Sequence, residues 1–193
     1  MTDDTFARLV SLACHDLRTP LATVYGFART LTRAEGLGEA EAGYAKMIET
    51  ASSQIAELLD ELGLAARIEA GRYHPKLEET DTAALGRAAA ERLGAERVAV
   101  SGPGGTVRVD VAATERAVSA LAQSALRHGG LDEVSIVAEG SALRISPVTA
   151  ASAPVVLGEE LRDLGAAVAA KLVETLGGSL ELEGETLTVR LPA

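Results

Sequence analysis

The sequence predicts an α+β protein in two modules: an N-terminal antiparallel helical hairpin forming a dimeric four-helix bundle, then an α/β sandwich. Three observations predict it. Apolar residues recur in alternating steps of four and three through two long stretches of the first 70 residues, the period of a helix with one buried seam. Beyond residue 81, short β-rich runs alternate with helical patterns and Gly-rich turns, as in a layered α/β module. Aromatics make up only 3% of the 193 residues while apolar residues make up 47%, so the cores are built from small aliphatic side chains. The expected organisation is 1–71 for the hairpin, 72–80 for a linker and 81–193 for the sandwich.

Thr2, Asp3 and Asp4 offer acceptors and negative charge to a helix N-terminus. The first helix then runs to about Ala34 with the seam Phe6, Val10, Ala13, Leu17, Pro20, Val24, Phe27 and Leu31. Glu35, Gly36, Leu37 and Gly38 break it, and so short a loop joins antiparallel neighbours. The second helix, about 39–70, carries the seam Tyr44, Ile48, Ala51, Ile55, Leu58, Leu62 and Ala65, with Gly71 as terminator. One hairpin leaves both seams in water, so pairing with a second copy is expected. Pro75 marks an aperiodic connector over 72–80, in which His74 is an ordinary exposed histidine.

The second module reads as a helix over 82–93 behind Asp81, a strand at 98–100, a Gly-Pro-Gly-Gly turn, and a strand at 107–109. A helix over 112–127 follows, then a hairpin of 134–138 with 142–145, a helical segment over 159–176, and a closing hairpin of 180–183 with 187–191. Helices cover one face of a mixed sheet.

Within the first helix, His15 lies off the seam, two residues after Ala13 and two before Leu17, so the helix turns its imidazole to solvent with Thr19 on the same face. Such a histidine is ordinarily a plain surface residue. The seven residues His15-Asp16-Leu17-Arg18-Thr19-Pro20-Leu21, however, resemble the H-box of sensor histidine kinases, whose His takes a phosphoryl group that a response-regulator Asp then removes. The resemblance implies that His15 is the phosphoacceptor, that Asp16 orients its ring, that Thr19 positions water or the phosphoryl group for the reverse reaction, and that Arg18 neutralises phosphoryl charge. The stretch 61–71 is similar to the end of that family's dimerisation domain. Cys14, a lone thiol, makes no metal site and reads as small helix-surface filler.

The order of elements after the linker resembles the family's ATP-binding domain, with the ligand residues replaced. The first nucleotide motif, N-x-x-x-N-A-x-(K/R)-(H/Y/F), falls on residues 120–128, where Ala120 and Ser124 occupy the two Asn positions. Alanine offers no metal ligand and a lone hydroxyl a weak one; Gln123 points about 100° away from Ser124. Where D-x-G-x-G is expected, Ile145-Ser146-Pro147-Val148 stands, and Pro147 removes a donor. The lid is reduced to 151–161, and the G-x-G place reads Asp163-Leu164-Gly165, where Asp163 would point charge at phosphates and Gly165 alone survives. The ATP site at Ala120, Ser124, Pro147 and Gly165 is thus degenerate, and neither cofactor nor metal is expected in the chain itself.

Composition narrows the partners. A formal net charge of −10 without a basic run disfavours nucleic acid and anionic membrane surfaces. A single Cys excludes an internal disulfide and suits a reducing cytoplasm. No apolar run reaches the length of a membrane span, so a cytoplasmic protein without sensor or anchor is expected. The expected function is histidine phosphotransfer in a two-component phosphorelay, without ATP hydrolysis, by a homodimer that docks a response-regulator receiver carrying its own Mg2+ against residues such as Leu12 and Tyr25. An upstream histidine kinase is a further partner. The alternatives are a divergent ATP-dependent histidine kinase and a non-catalytic scaffold that binds a response regulator.

Overall fold

The computed structural model describes residues 3–34 and 38–192, with residues 3–5, 8 and 9 described by backbone alone. The predicted capping by Thr2, Asp3 and Asp4 and the break at Glu35, Gly36 and Leu37 therefore lie outside the described residues. The chain forms two compact units, Met1–Tyr73 and His74–Ala193.

The first unit is a hairpin of α1, Asp3–Thr32, and α2, Glu39–Glu69. α1 runs unbroken through Pro20. Gly38 is the N-cap of α2, with Glu39 and Glu41 in the first turn and Arg67 in the last, charges that complement the helix dipole. Gly71 ends the run with a φ of 62°, and the amide of Arg72 bonds back to the Arg67 carbonyl at 2.8 Å, a left-handed stop that glycine adopts without a Cβ clash.

The hairpin closes on a stripe beside the predicted seams, which stay in water as expected of a lone hairpin. Among the described residues, those buried on α1 are Ala7, Cys14 and Ala28, and on α2 Ala45, Ser52, Leu59, Gly63, Leu64 and Ala66. Phe6, Leu17, Val24, Phe27 and Leu31 of the predicted α1 seam stay exposed, as do Tyr44, Ile48, Ile55, Leu58 and Leu62 of the α2 seam. Small side chains let two helices approach closely, so the small-residue stripe joins α1 to α2. The large aliphatic stripe, one residue away in sequence and about 100° around each helix, faces outward.

The second unit contains β1 (Leu77–Asp81), α3 (Thr82–Leu93), β2 (Val98–Gly104), β3 (Thr106–Asp110), α4 (Val111–Gly129), β4 (Val134–Glu139), β5 (Ala142–Ser146), α5 (Ala153–Val156), α6 (Leu164–Thr175), β6 (Ser179–Glu183) and β7 (Thr186–Arg190). Five strands form a sheet in the order β2-β4-β5-β7-β6, with β2 parallel to β4 and the other pairs antiparallel. β1 and β3 form a separate antiparallel pair. Alternation along the strands decides the faces. Ile136, Ala138, Leu143, Ile145, Leu187 and Val189 are fully buried beneath the helical layer. The opposite face carries Ser135, Arg144, Thr188 and Arg190, with Arg144 bonded to Glu139 at 2.7 Å and Arg190 to Glu181 at 3.3 Å. Asp81, Asp110 and Asp163 cap α3, α4 and α6, each side chain accepting from a first-turn amide.

Three expectations are corrected in this unit. The connector over 72–80 holds most of β1, which exists because residues 77–81 find β3 as partner. The predicted Gly-Pro-Gly-Gly turn belongs to β2, which runs on to Gly104 with a bulge after Ser101; Gly102 has a φ of 99°, and a Cβ there would collide with the Ala138 carbonyl oxygen. The helix predicted over 159–176 starts only at Leu164, because Gly158 turns left-handed after α5 and Asp163 caps a fresh start.

Candidate functional site

His15 stands on the outer face of α1, its side chain 77% exposed. Its Nδ1 lies 3.2 Å from Asp16 Oδ1. An ionised carboxylate only accepts hydrogen bonds, so in the neutral tautomer that makes this contact the proton is on Nδ1 and Nε2 is the free nitrogen. A neutral imidazole with one free nitrogen and no steric cover can attack phosphorus in line. One turn on, Thr19 is exposed and its carbonyl accepts from the Thr23 hydroxyl at 3.2 Å. Arg18 Nη2 donates to Asp60 Oδ1 on α2 at 2.7 Å. His15, Asp16, Arg18 and Thr19 therefore share one stretch of the α1 surface, with Arg18 tied across the hairpin.

Two neighbours differ from expectation. Cys14 is buried at 3% exposure rather than a surface filler, because it falls on the small-residue stripe opposite Gly63. Leu12 is exposed as expected, whereas Tyr25 is half-buried.

In the second unit, Ser124 is fully buried on α4 and its hydroxyl has no hydrogen-bond partner. Ala120 is half-buried on the same helix and Gln123 points to solvent. α5 lies against α4 and α6, with Val155 and Val156 fully buried. Pro147 follows β5 directly, next to the buried Val148, and Gly165 is buried in the first turn of α6. Asp163 is mostly buried and engaged within the chain: Oδ1 accepts from the Ala166 amide at 3.2 Å, while Oδ2 lies 3.3 Å from His128 Nε2 and 3.6 Å from Arg127 Nη1. Its carboxylate is thus directed at Arg127 and His128 at the end of α4.

Where the resemblance implies a metal-binding carboxamide, α4 carries the buried Ser124 hydroxyl, and the Asp163 carboxylate already contacts Arg127 and His128. Among the described residues, no three His, Cys, Asp or Glu side chains cluster to hold a metal ion, and no helix is long and apolar enough to cross a membrane.

Sequence reasoning missed two partners, Asp60 for Arg18 and His128 for Asp163. Each pair joins residues 35 or more apart in the chain, and no local pattern announces such a contact.

Residues 7–71 match the family described as His Kinase A (phospho-acceptor) domain. The chain is 28% identical over 206 aligned residues to Sensor protein DivL of Caulobacter vibrioides, an alignment covering 92% of this chain and 27% of that protein; the chain thus spans about a quarter of that relative's length. Full-length ShkA in complex with AMPPNP superposes with a TM-score of 0.69 at 19% identity, covering 96% of this chain and 46% of the other. The Acinetobacter baumannii histidine kinase AdeS superposes with a TM-score of 0.58 at 20% identity, covering 92% and 97%. At these identities the two structures establish the fold alone: a helical hairpin followed by an α/β unit.

Proposed function

We propose, starting from a chain whose residues 7–71 match a His Kinase A phospho-acceptor domain within the histidine-kinase fold, that it is a histidine phosphotransferase of a two-component phosphorelay. His15 takes a phosphoryl group from one response-regulator aspartate and returns it to another, and the second unit takes no part in nucleotide hydrolysis. The observation that carries this reading is Ser124, fully buried with an unpartnered hydroxyl, at the helix position where the resembled ATPases place their metal-binding Asn. A phosphoacceptor remains open to solvent while the nucleotide position is packed into the core.

In the transfer step, the His15 Nε2 lone pair forms the N–P bond as the P–O bond of an aspartyl phosphate breaks, and the receiver carboxylate leaves with that electron pair. The ring keeps its Nδ1 proton and becomes cationic, which the Asp16 carboxylate at 3.2 Å stabilises. Return transfer reverses each step. Mg2+ belongs to the receiver in this scheme. The exposed apolar stripe of both helices supports a homodimeric bundle, and the single thiol suits a cytoplasmic setting.

The test offers the purified chain labelled ATP in one reaction and a labelled phospho-receiver in another, with His15→Ala beside each. Label reaching His15 from the receiver alone is the expected result. Label from ATP would replace this reading with a divergent kinase, and label from neither, across a panel of receivers, would replace it with a scaffold.

A further inference from the structure

Arg18 lies one helical turn beyond His15, so the two side chains leave α1 as i,i+3 neighbours. Within four residues of His15 on either side it is the sole basic residue, while the facing stretch of α2 carries Glu57, Asp60 and Glu61. Its Nη2 donates to Asp60 Oδ1 at 2.7 Å, and both side chains remain about half exposed, at 49% and 46%. A pair so open to water is a weak source of stability and its cation is readily shared. Phosphorylation would place a doubly charged group on His15 Nε2, a stronger acceptor than a carboxylate and within the compass of the same guanidinium, whose five N–H donors suit phosphate oxygens. Asp16 does not compete for that role, because its carboxylate faces Nδ1 on the other side of the ring.

We propose that Asp60 is a positioning residue for phosphoryl transfer at His15: by holding Arg18 from across the hairpin, it sets how strongly the phosphorylated imidazole is retained. The inference rests on the phosphotransfer reading above. With Asp60 in place, Arg18 is divided between a carboxylate and the phosphoryl group, and phosphohistidine is a poised intermediate that passes its group on. Without the Asp60 charge, Arg18 is committed to the phosphoryl oxygens and the group is held.

The experiment uses the full chain with phosphoramidate as donor and ammonium chloride as competing acceptor at a fixed ratio. The His15 Nε2 lone pair forms the new N–P bond, the donor P–N bond breaks, and ammonia leaves with its three hydrogens; the back reaction uses the same atoms. The ratio of phosphorylated to free chain, read by intact mass, then reports retention.

Asp60→Asn is expected to raise that ratio about threefold and Arg18→Ala to lower it about threefold, as suits a partly exposed charge-assisted contact. The double variant is expected to match Arg18→Ala alone, because Asp60 acts through Arg18, and Asp60→Glu to restore the original ratio. An unchanged ratio in Asp60→Asn, or the same rise in the Arg18→Ala background, would overturn the inference and leave phosphotransfer standing. Absence of phosphoryl on His15 in the unaltered chain would overturn the phosphotransfer reading itself.

Discussion

Gly63 on α2 faces Cys14 on α1 so closely that a Cβ built on the glycine would lie 3.9 Å from the Cys14 Cβ. That is ordinary contact distance, with the Arg67 guanidinium the only nearer group at 3.5 Å. A methyl therefore fits, and removing a mid-helix glycine reduces the entropy lost on folding. Gly63→Ala is expected to stabilise the hairpin by about 0.5 to 1 kcal/mol. Gly63→Leu is expected to wedge the helices apart and cost about 1 to 3 kcal/mol. Urea unfolding of the two variants checks both signs.

Ile55 is 48% exposed on the lone hairpin and lies on the outward aliphatic stripe with Ile48, Leu58 and Leu62. If that stripe closes a four-helix bundle, Ile55→Asp removes about 2 kcal/mol of burial from each protomer. By symmetry the dimer weakens on the order of a thousandfold. Sedimentation equilibrium should find the variant monomeric at concentrations where the parent is dimeric, with helicity retained. A monomeric parent would refute the dimer.

Ser124 and Thr114 bury hydroxyls without partners on α4. Deleting an unsatisfied buried hydroxyl removes its desolvation cost, so Ser124→Ala is expected to be neutral or stabilising by about 1 kcal/mol. Ser124→Asn, which reinstates the carboxamide of the resembled nucleotide motif, puts a larger side chain at a fully buried position and should destabilise by about 1 to 3 kcal/mol. Thermal unfolding separates the two. A fluorescent ATP analogue should show no gain of binding in Ser124→Asn.

Asp163 caps α6 and contacts His128 and Arg127 with its other oxygen. Asp163→Ala removes the cap and leaves His128 Nε2 without this acceptor, for an expected loss of about 1 to 2 kcal/mol. Asp163→Asn keeps an acceptor for the Ala166 amide and should lose less. A smaller effect of alanine than of asparagine in urea titrations would contradict this account of the cap.

Element order was legible from residue patterns because helical and strand periods are local properties. Asp81 before α3 and Gly71 after α2 mark boundaries by side-chain chemistry alone. β1 was not legible, since residues 77–81 carry no apolar alternation and are a strand only through pairing with β3. The early start assigned to α6 had a similar origin: residues 159–163 suit a helix by composition, and the Asp163 cap decides otherwise. In the site, His15, Asp16, Arg18 and Thr19 were visible as one contiguous motif, whereas Asp60 lies 42 residues from Arg18.

By itself the sequence determined the helical hairpin, the α/β unit after it, and the solvent-facing place of His15. These follow from what each side chain is and from the 3.6-residue and two-residue periods. Only the tertiary structure decided which of two adjacent stripes closes the hairpin, that Cys14 is inside, and that Arg18 is held by Asp60. Adjacent stripes are equally periodic in one dimension; what separates them is how closely two backbones can approach, and that distance is set by small side chains meeting from opposite helices.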